Sequence, residues 1–223
     1  MTAERTDKNR RSSKAPAIAI DVALAFVTTL LMMRTQLPAM LHQVAGIAFG
    51  VLTGAHMWQH RAWLSALLHG KLKGRHLVSA VGMAAILACT AALIASGLLM
   101  STWATDLGIA AGTGGARGLH LPLSHLLYCI VGVHAGLCMK GVRRLPRPAL
   151  AAWAVVAAAG IWSFAALDFG GYISGATAFA FVDPSKPAAL SFVHYASVFS
   201  LFALAGAALQ LVLGQSGRSS VQK

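Results

Sequence analysis

Seven of the chain's nine histidines lie in or beside long apolar stretches, where an imidazole is an expensive guest. Four of them form a pattern. His42 and His56 are fourteen residues apart in one stretch, and His120 and His134 are fourteen apart in another. In an α-helix fourteen residues make a rotation of about 1400°, close to four full turns, and a rise of about 21 Å. Each pair therefore lies on one helix face, with one imidazole toward either end. Shifting the first stretch by 78 positions superposes His42 on His120, His56 on His134, Gly54 on Gly132 and Leu41 on Leu119, and sets Gly46 against Ser124. Such an internal repeat reads as two equivalent helices.

The chemistry open to this set is metal ligation. Structural zinc takes four close nitrogen or sulfur ligands in a tetrahedron. Two imidazoles about 21 Å apart on one helix cannot share an ion. The four make two sites of two, one from each helix. Two trans imidazoles complete an iron whose other ligands are porphyrin nitrogens, so the spacing points to two haem groups, with His42 and His120 on one iron and His56 and His134 on the other. With both axial positions filled, one-electron transfer is the remaining chemistry. Gly46, Gly50, Gly54 and Gly132 are read as room for the macrocycle beside the backbone. No C-x-x-C-H is present, so the haem would be of the b type, without covalent attachment.

The remaining histidines fit ordinary roles. His60 is on the same face as His42, but its repeat partner is Cys138. His125 is on the face opposite His134, and His194 opens the last span. His69 and His76 fall in a polar loop. Asp21 lies inside the first apolar stretch and is expected to pair with Arg61 or His60, or to carry protons at a quinone pocket. Cys89, Cys129 and Cys138 read as small buried hydrophobes.

Positioning these groups requires helices that cross a bilayer. Of 223 residues 57% are hydrophobic and 11% charged, whereas a soluble domain carries about 25% charged residues. Lipid leaves backbone groups no partner but their own helix. Six stretches approach the roughly 20 residues a crossing needs: 16–33, 38–58, 77–100, 119–139, 149–167 and 191–213. Pro38, Pro148 and Pro187 stand near segment starts, where a missing N–H is harmless. The predicted fold is all-α and integral to the membrane: a basic tail 1–15, a four-helix haem-binding bundle within 16–144, a C-terminal hairpin in 145–215 with an outer loop 168–190, and a tail 216–223. The first apolar run is longer than a signal-peptide core and reads as an uncleaved span, with no soluble domain appended.

The formal charge of +12 invites a nucleic-acid reading, which its distribution opposes. With the N-terminus in the cytoplasm, 15 of the 18 Lys and Arg fall in inner segments, leaving Arg34, Arg117 and Lys186 outside. This is the positive-inside asymmetry, and it puts both termini in the cytoplasm of a bacterial inner-membrane protein. The excess serves topology and anionic lipid heads. Arg34 or Arg117 outside, and Arg61, Lys71, Lys73 or Arg75 inside, are candidate partners for haem propionates. The glycine-rich 112–118 lacks the Lys-Ser/Thr of a phosphate cradle and reads as a flexible outer loop.

The paired histidines resemble the scheme of the cytochrome b subunit of quinol–cytochrome c reductases and of ferric-reductase-like membrane domains. The chain more closely resembles the flavinylation-associated cytochrome family, in IDVALAF, LHQVAG…GAHMWQHRAW, ASGLLMS, LHLPLSHLLYCIVGVHAGL and the tail GYISGATAFAFVDPSKPAALSFVHYASV, across most of 17–210. Where that family often continues with Asn-Trp, this chain has His60, Arg61, Ala62 and Trp63. The resemblance implies a dihaem b-type cytochrome passing electrons between the quinone pool, or a cytoplasmic-side donor, and extracytosolic flavin partners, as a subunit of a homo- or hetero-oligomer. It also draws attention to Ser174-Gly175-Ala176-Thr177, similar to sequences in which a threonine receives covalent FMN; Thr177 is the candidate acceptor. Two other readings stay open: a quinol-linked oxidoreductase with its own substrate pocket, and a histidine-lined metal or proton transporter.

Overall fold

The computed structural model describes residues 15–69, 75–109, 113–139, 142–180 and 185–219. Among these residues the fold is all helical. In chain order the helices are α1 (Ala15–Met32), α2 (Ala39–Gln59), α3 (Arg61–His69), α4 (Arg75–Leu99), α5 (Thr102–Asp106), α6 (Thr113–Cys138), α7 (Arg147–Ala166), α8 (Phe169–Ser174) and α9 (Ala188–Ser219), with single 3-10 turns at Arg34–Gln36 and Val142–Arg144.

Four segments are long and apolar enough to cross a membrane: His76–Leu99, Gly114–Cys138, Arg147–Ala166 and Ala188–Leu213. Helix α1 is apolar but shorter. Helix α2 runs for 21 residues, but His42, Gln43, His56 and Gln59 dilute its apolar character. The groups that give α2 its chemistry are thus the ones that weaken it as a span. Each of the six stretches read from the sequence is a helix, within three residues at most starts.

The exception is α6. Residues 113–118, expected as flexible loop, are its first turns. Glycine lowers helix propensity but does not forbid the conformation. Pro187 directly precedes α9 and Pro148 sits in the first turn of α7, as their missing N–H groups allow.

Helix α9 packs along α6 and α7, and α4 packs along α6. The C-terminal hairpin expected as an addition to the core therefore shares the bundle's central helix. Close approach comes from small residues. A Cβ on Gly136 would collide with the carbonyl of Ala203, and one on Gly206 with the carbonyl of Val133. Small residues at such crossings let backbones meet where lipid supplies no hydrophobic drive between helices. Tyr128, fully buried, joins three helices: its hydroxyl donates to the Tyr195 carbonyl at 2.8 Å and lies 3.1 Å from Thr29 Oγ1. The outside of the bundle is apolar, with Val22, Val51, Val81, Val155, Ile161 and Val193 exposed. A soluble monomer rarely shows such a surface; lipid accepts it.

Candidate haem sites

Helices α1 and α2 form one hairpin, and α4 and α6 another, while α2 and α6 do not pack closely against each other. A cleft separates the two histidine helices. His42 and His120 face across it, with ring centroids 6.4 Å apart and planes at 65°. At the opposite end, His134 lies within electrostatic range of Asp21, His56 and His60. Helix starts meet at one end and helix finishes at the other, so α2 and α6 run in the same direction. The 78-residue repeat thus brings His42 and His120 face to face, and His134 within electrostatic range of His56.

The 6.4 Å separation can be tested against a metal between the rings. A bond of about 2 Å from each imidazole nitrogen, with about 1 Å more to each ring centre, separates centroids by about 6 Å. The same separation occurs between edge-on rings in direct contact, as for Tyr128 and Tyr195 at 6.4 Å, so the ring nitrogens decide the matter. Nδ1 of His120 is 2.9 Å from Ser96 Oγ, whose own proton is directed to the Ala92 carbonyl at 2.7 Å. With that proton so placed the hydroxyl accepts from the ring, and Nε2 is the nitrogen left to face a metal. Nδ1 of His42 is buried and has no hydrogen-bond partner among the described residues. The donor set fits an iron porphyrin at this end.

The space beside the rings fits as well. A cavity of about 810 Å³ is lined by both imidazoles and by Gly46, Gly50 and Gly97, within the usual range of about 300–1,000 Å³ for small-molecule sites. A Cβ on Gly46 would meet nothing within 4 Å, and one on Gly97 would sit 3.4 Å from His120 Cε1. Gly54 is similarly open, at the other end of α2. Gly132 serves differently: a Cβ there would lie 2.8 Å from Phe202 Cβ and 3.2 Å from the Phe199 carbonyl. Its smallness accommodates α9.

At the His56 end the histidines are arranged differently. His56 Nδ1 is 2.8 Å from Asp21 Oδ1, again leaving Nε2 for a metal. The expected partner of Asp21 was Arg61 or His60. Arg61 instead donates to the Trp58 carbonyl at 2.9 Å and lies over the Trp58 ring, while His60 joins Asp21 and His56 in a cluster whose ligand atoms lie within 4.8 Å. His134 Nε2 is 3.7 Å from Cys138 Sγ, a weak contact that a metal would replace. Cys138 is exposed, unlike Cys89 and Cys129, so burial does not account for all three cysteines.

Among the charged propionate candidates Arg34 lines the cavity, and Lys186, which was not among them, lines it too. Arg117 is exposed and not among the lining residues; Lys71 and Lys73 lie outside the described residues. The same cavity reaches Tyr172, Asp168 and Thr177. The Thr177 hydroxyl donates to Asp168 Oδ2 at 2.5 Å, so Thr177 is half-buried and tethered rather than displayed on an open turn. His125 lies 4.3 Å from Tyr172 in a stacked arrangement and edge-on to Phe169, with Nδ1 donating to the Leu121 carbonyl at 2.9 Å. His194 meets Trp162 edge-on at 5.1 Å. Neither belongs to the four-histidine set.

Sequence reasoning missed Ser96, Gly97, Lys186 and the Asp21–His56 pair. Ser96-Gly97 was visible as a small polar step inside an apolar run, but nothing in one sequence gives the rotation of α4 against α6. In comparisons with protein-family models, curated proteins and solved structures, nothing matches this chain.

Proposed function

We propose that this chain is a dihaem b-type cytochrome that carries electrons across the bacterial cytoplasmic membrane. The observation that supports it best is the facing of His42 and His120 across a cavity, at a separation suited to one metal between them. In this reading all six long helices span, both termini are cytoplasmic, and the His42 end faces outward. Helix α2 then crosses with its polar residues turned to cofactor rather than lipid.

Two haem b groups would supply one-electron oxidation and reduction. His42 and His120 would hold the outer one, and His56 and His134 the inner. Ser96 orients the His120 ring, and Asp21 the His56 ring. Gly46 and Gly97 keep the cleft open. Arg34 supplies positive charge for propionates at the outer cavity. Apolar side chains, among them Phe49, Leu93 and Leu127, line the cleft beside its polar rim.

The proposed partners are the quinone pool or a cytoplasmic-side reductant on one face and flavin-bearing proteins on the other. Thr177 is the candidate for covalent FMN; its place on the wall of the cavity that holds His42 and His120 supports that assignment. A second reading, a histidine-lined metal or proton carrier, draws on the Asp21, His56 and His60 cluster. Spectroscopy of the purified protein separates the two: a bis-histidine low-spin haem spectrum supports the cytochrome, and a colourless protein that binds zinc supports the carrier.

A further inference from the structure

The two histidine pairs differ in what holds the second ring nitrogen. At the His42 end the partners of the His120 ring among the described residues are neutral: the Ser96 hydroxyl, 2.9 Å from Nδ1, and the Leu93 backbone. At the His56 end the partner of His56 Nδ1 is the carboxylate of Asp21, brought from α1. A carboxylate that accepts from a ligating imidazole raises the basicity of the ligand. A more basic ligand stabilises the oxidised iron and lowers the reduction potential.

Nearby charge acts in the same sense. Arg34 lines the cavity with His42 and lies within electrostatic range of its ring. Positive charge there favours the reduced iron. Asp168 also lines this cavity, but it accepts from Thr177 and from the Gly171 N–H rather than from either ligand.

We propose that Asp21 is a positioning residue that sets the potential of the iron held by His56 and His134 below that of the iron held by His42 and His120, so that electrons run from the His56 end to the His42 end. The inference rests on the dihaem reading. The step is a one-electron transfer in which the iron at the His56 end is oxidised and the iron at the His42 end is reduced, with no bond made and no proton moved. A quinol or other reductant on the His56 side supplies the electron, and an oxidised flavin on the His42 side accepts it.

The test is an equilibrium optical redox titration of purified haem-loaded protein: wild type, Asp21→Asn, Asp21→Glu and His120→Ala. Wild type should show two waves, and His120→Ala should lose the higher one. Asp21→Asn should move the lower wave upward by about tenfold in its reduction equilibrium, which is 59 mV for one electron, and leave the upper wave in place. Asp21→Glu, which keeps the carboxylate, should retain most of the low potential. The inference is overturned if Asp21→Asn binds two haems with both waves unmoved, or moves only the upper wave. A wild-type preparation without haem overturns the dihaem reading itself, and is recognised before any titration begins.

Discussion

The rings of His42 and His120 stand 6.4 Å apart on two helices that do not pack closely against each other. Helices in a bundle close on one another unless something between them holds them apart. Here the gap is lined by Gly46, Gly50 and Gly97 and by the imidazoles of His42 and His120. That relationship, more than the histidine count, supports a flat cofactor seated between α2 and α6, and it sets the first expectations.

Filling the gap should evict the cofactor and spare the fold. A Cβ on Gly46 meets nothing within 4 Å, so Gly46→Leu projects into the cavity without a backbone collision. The expected outcome is about half the wild-type haem with unchanged helix content, measured by pyridine haemochrome assay and circular dichroism. Full haem content in this variant would place the macrocycle elsewhere.

Ser96 should matter to the cofactor rather than to the bundle. Ser96→Ala removes the acceptor of the His120 Nδ1–H. Loss of a partner that orients a metal ligand lowers metal affinity about 10–100-fold. Titrating haem into apoprotein should show one of two sites weakened, with thermal stability of the apoprotein little changed.

Gly136 should behave in the opposite way. A Cβ there would collide with the Ala203 carbonyl, and overpacking of this kind destabilises by about 1–3 kcal/mol. Gly136→Ala should lower unfolding stability in detergent while the fraction that remains folded still carries both haems.

How much of this was legible in the sequence depends on which geometry is intrinsic to one helix. The fourteen-residue spacing fixes a shared face within a helix, so His42 with His56, and His120 with His134, could be read directly. The 78-residue repeat set His42 against His120, whose rings face each other, and the alternation of spans gave the common direction of α2 and α6. What hid was rotation between different helices. The partner of Asp21 is His56 rather than Arg61 because α1 packs along α2 in a register that no periodicity reveals. Gly132 matched Gly54 in the repeat, yet one faces Phe202 on α9 and the other open space, because only α6 has a neighbour there. The glycines at 114, 115 and 118 look like a loop and are helix, since α6 continues outward past the cleft.

Thr177 allows a test independent of haem. If it carries FMN, intact-mass measurement of protein co-expressed with a flavin transferase should show one FMN, lost in Thr177→Ala. Asp168→Asn, which alters the carboxylate that holds the Thr177 hydroxyl, should change the yield of the modification without abolishing the acceptor. No mass increase on the wild type under these conditions would remove the flavin from the scheme and leave the four histidines untouched.

The most direct measurement is haem quantitation with reduced-minus-oxidised spectra on the wild type and the four variants His42→Ala, His56→Ala, His120→Ala and His134→Ala. Two low-spin haems per chain are expected. His42→Ala and His120→Ala should lose the same one, and His56→Ala and His134→Ala the other. A chain that stays colourless with ample haem supply, or variants whose losses pair along each helix rather than across the cleft, would contradict it.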